Sequence, residues 1–300
     1  MRVLVYGATG SQASPVVQLL LQQGHEVRVL TRDLAKAARR CPPGAVAVAG
    51  DFDNPQSLQR ASAGVDAVSF MVPAFLRSPE NTLLYTERAI GAAKAGGARH
   101  VVWNTGGRFP EGGNTRALDK SMLATFEVLK AGGLPLTVIA PTTYMENLLG
   151  PGAFTAIRNH DEVAYPVLAS RKMGWIASRD VSAFVVAALE RPRLAGRVFR
   201  VSGNEALTGP ELAAAFTEVL GRSFRFRTLT PDEMRQALEE AYGKGAGDEV
   251  AEEYGLDQVD PEPPAKHYDM TQVLEDLPIK MTHIRAWIAL HAGEFSPLKH

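Results

Sequence analysis

The stretch Val3-Leu4-Val5-Tyr6-Gly7-Ala8-Thr9-Gly10-Ser11-Gln12-Ala13 decides the fold. A short apolar run ends at a glycine, and a helical stretch begins at Ser14 with Val16, Val17, Leu19, Leu20 and Leu21 as its apolar stripe. Gly7 permits a tight turn, and Gly10 removes a side chain where an anion must approach backbone. Ala13 is small enough for the helix to pack on the strand. A helix that starts there turns free N–H groups and a partial positive charge toward a pyrophosphate. The spacing therefore predicts a dinucleotide-binding turn, with Gly7, Thr9, Gly10, Ser11 and Gln12 around the phosphates.

Outward from this stretch the rhythm repeats. Short apolar runs at 27–30, 45–49, 67–71, 100–103 and 136–140 alternate with helical segments at 34–40, 55–61, 80–95 and 118–131. Strands joined through helices make right-handed crossovers and a parallel sheet covered on both faces. Strands buried on both faces read as continuous apolar runs, as these do. The expected fold class is α/β: an NAD(P)-binding Rossmann core, a doubly wound parallel sheet, with a smaller, mainly helical C-terminal part. The boundaries predicted are 1–149 for the core, rejoined by about 180–203, and 150–300 for the remainder. Asp180 is expected to cap the helix that follows it, and Asp53 the helix near Pro55. Residues 244–264, rich in Gly, Asp, Glu and Pro, read as a mobile, solvated segment.

Composition narrows the function classes. The 300 residues carry 32 basic and 33 acidic side chains, a formal net charge of −1. That balance argues against general nucleic-acid binding, which needs basic residues to neutralise phosphates. A hydrophobic share of 45% supports a sizeable core, and 22% charged residues fit an ordinary soluble domain. A lone cysteine, Cys41, excludes an intramolecular disulfide and a cysteine-only zinc site, and fits a reducing, cytoplasmic location. No apolar run approaches the roughly 18 residues of a membrane-spanning helix. Only four apolar residues separate Arg2 from Gly7, too few for a signal peptide. The seven histidines show no paired ligand spacing, so no metal site is expected.

Cofactor choice is read at the end of the second strand, Leu30-Thr31-Arg32-Asp33. An acid there suits the ribose hydroxyl of NAD, and an arginine suits the 2′-phosphate of NADP. Arg32, with Lys36 one turn beyond, favours NADP, while Asp33 reads either as a helix cap or as the acceptor of a ribose hydroxyl, which would favour NAD. After the third strand, Asp51 is either an adenine acceptor or a cap, and Phe52 is placed to pack on the adenine ring. Met71, Val72 and Pro73 follow the fourth strand, and Thr105 the fifth, at the carboxyl edge where ligands bind. Tyr144 and Asn147 follow the sixth strand and are read either as lining the cleft or, for Tyr144, as ordinary packing. Phe75 is a further candidate for the cleft.

Several of these segments together resemble the NmrA-like family, an atypical branch of the short-chain dehydrogenase/reductase superfamily. The resemblance is carried by Gly-Ala-Thr-Gly-Ser-Gln at 7–12, Thr31-Arg32-Asp33, Gly50-Asp51-Phe52, Lys120 and Pro141 to Leu149. It departs at Ala13, where most members have glycine, and at Trp103-Asn104-Thr105, where catalytic members of the superfamily often carry serines. Typical superfamily enzymes use Tyr-x-x-x-Lys. Lys120 matches the lysine, but the tyrosine position holds Arg116, which cannot donate a proton near neutral pH. The resemblance implies a cofactor or catalytic role for Lys120 and places Tyr144 at the site. The helical projection sets Lys120 roughly 150° from the stripe of Leu118, Met122, Phe126 and Leu129, the position of a solvated lysine. The family contains NADPH-dependent quinone reductases, reductases of plant phenolics and non-catalytic proteins that sense NADP. It therefore implies NADP(H) and either of two functions. One is direct hydride reduction of a quinone or similar small-molecule acceptor. The other is NADP(H) sensing with a regulatory protein partner, with 244–264 as the responding element.

Overall fold

The computed structural model describes residues 1–8, 10–71, 79–111, 116–261 and 263–297. The glycine loop connects β1 (Arg2–Val5) to α1 (Ser14–Gln22). Then follow β2 (Glu26–Thr31), α2 (Leu34–Arg40), β3 (Val46–Ala49), α3 (Pro55–Ser62), β4 (Ala67–Phe70) and α4 (Pro79–Ala95). Next come β5 (His100–Asn104), α5 (Ala117–Ala131), β6 (Leu136–Pro141), β7 (Thr143–Tyr144) and α6 (Ala153–His160). The chain continues through β8 (Glu162–Tyr165), β9 (Trp175–Ile176), α7 (Ser178–Leu189), β10 (Val198–Val201), α8 (Gly209–Leu220) and β11 (Arg225–Thr228). It finishes with α9 (Pro231–Tyr242), α10 (Asp248–Val259), α11 (Thr271–Asp276) and α12 (Ile284–Leu290).

Seven strands form one parallel sheet in the order β10-β6-β5-β4-β1-β2-β3. This is the doubly wound α/β fold. Alternation along β1 shows how both faces are filled: Val3 and Val5 join α1 and α7 in one core, while Leu4 and Tyr6 join α3, α4 and α5 in the other. The strand order reverses between β1 and β4, so their outgoing loops part there and leave a crevice at the carboxyl ends. A third core gathers around the small parallel pair β8 and β11, with Trp175, Phe216, Trp287 and Phe295 buried in it. Among the described residues no helix is long and apolar enough to cross a membrane.

Three local expectations change. The segment 244–264 is not a solvated coil: α10 occupies most of it, with Ala251 and Asp257 buried. Its first turn carries Asp248 and Glu249, which suit the positive end of a helix. Asn54, not Asp53, caps α3, accepting from the Ser57 N–H at 3.1 Å, while Asp53 accepts from the Tyr85 hydroxyl at 2.7 Å. Asp180 does not cap α7, whose N-cap is Ala177. It sits in the first turn and accepts from the Thr282 N–H at 2.7 Å and its hydroxyl at 2.8 Å, tying the C-terminal segment to the core.

Gly7 is where the fold and the crevice meet. Its φ is +71°, and a Cβ added there would lie 3.1 Å from the Met71 carbonyl oxygen. Replacing it strains the backbone and forces apart the loops after β1 and β4. Gly7→Ala is expected to destabilise the protein by about 1–2 kcal/mol, the cost of a left-handed residue with a Cβ. A denaturant titration that leaves the unfolding midpoint unchanged would contradict this.

Candidate functional site

The floor of the site is the glycine loop. Gly10 donates to the Gly7 carbonyl at 2.9 Å and accepts from Ser14 at 3.0 Å, which winds the loop into α1. Among the described residues no side chain caps α1 and no acid sits in its first turn. The Ser14 and Val16 N–H groups are given to the Gly10 and Ala13 carbonyls and Pro15 has none, so the helix end offers an anion its dipole rather than free first-turn amides. Gly7, Gly10, Ser11, Gln12, Ala13 and Met71 line a cavity of about 460 Å³ that extends toward Asn147, Tyr165 and Tyr254. A second lobe of about 240 Å³ runs along Thr105, Leu118, Asp119, Met122 and Tyr144 to Lys266. The lobes share Gln12, Gly106, Asn147, Val250 and Tyr254, so they form one continuous cleft.

Asn104 organises the junction. Its Oδ1 accepts from the Gly106 N–H at 3.0 Å and from the Tyr144 hydroxyl at 3.2 Å, and its Nδ2 lies 3.6 Å from the Met71 sulfur. The loops after β4 and β5 are thereby tied to β7. The Thr105 hydroxyl donates to the Gly107 and Ile139 carbonyls and serves the loop itself. Tyr144 is fully buried, and burial raises its phenol well above the ordinary value.

The roof is α10, which brings Glu249, Val250, Glu253 and Tyr254 to the cleft. Buried ion pairs hold it there. Arg108 lies 2.9 Å from Asp119 and 2.8 Å from Glu253. Arg116, at the start of α5, lies 2.9 Å from Glu253, 2.6 Å from Asp257 and 2.8 Å from Asp260. Lys266 closes the cluster at 2.7 Å from Asp257. The Arg116 and Asp257 side chains are only 9% and 2% exposed, so these are not weak surface pairs. Burial alone would raise the Asp257 carboxyl, but Lys266 and Arg116 together hold it below its ordinary value. Burial lowers the Lys266 ammonium despite that partner.

The predicted residues are not all brought together. Gly7, Gly10, Ser11, Gln12, Met71, Thr105, Tyr144 and Asn147 line the cleft. Arg32 and Lys36 are exposed beyond β2, where Asp33 caps α2 by accepting from the Lys36 N–H at 2.8 Å. Asp51 lies at the carboxyl end of β3, its carboxylate accepting from the Asp53 N–H at 3.1 Å. Phe52 stacks on the rings of Tyr6 and Tyr85, at 5.7 and 5.1 Å between centroids. Thr9, Val72, Pro73 and Phe75 lie outside the described residues. Lys120 does not reach the cleft. It is exposed beside a separate surface hollow with Arg116 and Glu252, while the cleft-facing side of α5 presents Leu118, Asp119 and Met122. Two residues correspond to about 200° of helix, which puts Lys120 and Met122 on opposite faces. Arg108, Asp119, Tyr165, Tyr254 and Lys266 are cleft residues that the sequence reading did not single out. Among the described residues no cluster of His, Cys, Asp or Glu has the arrangement of a metal site.

The model of the NmrA-like family matches residues 1–273, and the chain belongs to that family. It is 33% identical over 237 residues to the NAD(P)H azoreductase of Xenophilus azovorans, covering 79% of this chain and 80% of the relative. It is 31% identical over 298 residues to the (4-alkanoyl-5-oxo-2,5-dihydrofuran-3-yl)methyl phosphate reductase of Streptomyces griseus, covering 98% and 99%. The fold is similar to that of Citrobacter sp. triphenylmethane reductase complexed with NADP(H), with a TM-score of 0.77, 19% identity, and 97% and 99% of the two chains covered. It is also similar to that of the Escherichia coli NADPH-dependent quinone oxidoreductase complexed with NADPH, with a TM-score of 0.74, 19% identity, and 96% and 99% covered.

Arg116→Met leaves Glu253 with Arg108 alone and Asp257 with Lys266 alone, so it is expected to destabilise the protein by ~2 kcal/mol at pH 7, less than the loss of a buried charge's sole partner. A depressed carboxyl pKa stabilises the fold above the unfolded value and loses that contribution as pH falls through the folded value. The gap between wild type and Arg116→Met should therefore be full at neutral pH and narrow below pH 3.8, the ordinary value for Asp257. Denaturant titrations at several pH values check both statements, and a gap that is absent at pH 7 or widens in acid would contradict them.

Proposed function

We propose that this protein is an NADP(H)-dependent reductase of conjugated acceptors, quinones or azo compounds. The observation that carries the reading is the continuity of the cleft, which runs from the glycine loop before α1 to a lobe walled by Leu118, Met122, Tyr144, Val250 and Tyr254. A flat, apolar acceptor suits such a lobe. The glycine loop, built from Gly7, Gly10, Ser11 and Gln12, fits a pyrophosphate. Arg32 and Lys36, exposed at the end of β2, would meet a 2′-phosphate, and Asp51 lies at the adenine end. Phe52 is already stacked between protein rings, so at most its remaining edge is offered to adenine. Met71, Thr105 and Asn147 would line the nicotinamide end.

When bound, the reduced cofactor supplies a hydride. A quinone or azo group accepts a hydride directly and does not depend on the superfamily's Tyr-x-x-x-Lys pair, which fits Arg116 as a structural clamp and Lys120 outside the cleft. Tyr144 would act by position: its O–H is given to Asn104, so it shapes the junction of the two lobes. The names of the azoreductase and quinone oxidoreductase relatives support the same chemistry. The alternative, a non-catalytic NADP(H) sensor, is not favoured, because the segment expected to respond is a helix locked by buried ion pairs.

Calorimetry should find NADPH binding tighter than NADH, and Arg32→Ala should weaken NADPH by about 1–3 kcal/mol, the worth of a charged hydrogen bond. Steady NADPH oxidation with a panel of quinones and azo dyes should exceed that of a Gly10→Asp control. Equal binding of both cofactors rejects the role of Arg32, and no turnover across the panel rejects the reductase.

A further inference from the structure

The cleft contains a hydrogen-bonded chain that ends, among the described residues, at the Tyr254 hydroxyl. Asn147 Nδ2 donates to the Tyr165 hydroxyl oxygen at 2.9 Å, and the Tyr165 and Tyr254 oxygens are 2.7 Å apart. An amide NH₂ can only donate, so the first bond has a fixed sense. Tyr165 is 2% exposed, and Tyr254 is the remaining oxygen partner for its proton among the described residues. A buried hydroxyl keeps its hydrogen bond. Tyr165 therefore donates to Tyr254, and Tyr254 is left with its own O–H to give. Tyr254 is half-buried and lies where the two lobes join. The Lys266 ammonium stands 5.7 Å from the centre of its ring.

From this geometry we infer that Tyr254, carried on α10, hydrogen-bonds the acceptor's oxygen or nitrogen and donates the proton that completes its reduction. The inference rests on the reductase reading. With a quinone, the hydride that bound reduced cofactor would supply forms an O–H bond at one quinone oxygen as the cofactor's C–H bond breaks, leaving a hydroquinone monoanion and oxidised cofactor. The Tyr254 O–H bond then breaks as its proton moves to the anionic oxygen, giving the hydroquinone. Water at the mouth of the cleft returns a proton to the phenolate, which the Lys266 cation faces meanwhile. Burial keeps Tyr254 protonated at rest, as a donor must be. Tyr165 and Asn147 are positioning residues, since they orient the proton of Tyr254 and reach the acceptor through it.

Duroquinone, whose ring carbons are all substituted, is the probe, and Tyr254→Phe is the variant. With oxidised NADP present and no reductant, difference infrared spectra should show a duroquinone carbonyl band lowered on the wild-type protein and restored on Tyr254→Phe. With NADPH, Tyr254→Phe should lower kcat roughly 100-fold with little change in KM, the ordinary contribution of a general acid. Tyr165→Phe should give an intermediate loss, and Tyr268→Phe, outside the cleft, none. A carbonyl band that is unshifted in wild type, or unchanged by Tyr254→Phe, overturns the inference, as does an unchanged kcat. A band that depends on Tyr254 without turnover in wild type would overturn the reductase and the proton transfer while keeping the hydrogen bond.

Discussion

The cleft depends on buried charge pairing between α10 and the first half of the chain. Arg108 and Arg116 precede or open α5, Glu253 and Asp257 belong to α10, and all four side chains are largely removed from water. A charge buried alone is so unfavourable that such groups tolerate few arrangements other than the paired one. That intolerance, more than any net attraction, fixes where α10 lies. Its placement gives the cleft a roof and brings Tyr254 against Tyr165. An arginine in the place of the superfamily's tyrosine thus has a positive role, for its fork engages three carboxylates at once.

The opposite wall is made by backbone. Gly7 lets the loop after β1 pass within van der Waals reach of Met71, and Asn104 ties the Gly106 amide and Tyr144 to the same junction. On the proposed reading, the sheet edge would hold the cofactor and the helix clamped by ion pairs would cover the acceptor.

Much of the sheet was legible because its signals are local. Apolar runs, Gly7, Gly10 and the pair Arg32-Asp33 each act within a few residues, and the elements they imply are present within a residue or two. The phase of α5 was also legible: the stripe through Leu118 and Met122 points Lys120 away from the apolar face, and its side chain is exposed. The α10 helix was not legible. Its acidic, glycine- and proline-flanked composition resembles a solvated segment, because its carboxylates are neutralised by arginines more than a hundred positions away. Nor could spacing reveal the Tyr165–Tyr254 pair, separated by 89 positions. Asp53 and Asn54 are neighbours with the same capping chemistry, and only the backbone geometry decides between them.

A crystal structure of the protein with NADP bound decides whether the cleft under α10 is the cofactor's. The pyrophosphate should lie on the loop from Gly7 to Ala13, the 2′-phosphate beside Arg32, and the nicotinamide ring in the cleft beneath α10 with the arginine clamp intact. A ring outside the cleft, or an α10 displaced from Arg116 to admit it, would show that the clamped helix does not roof the site.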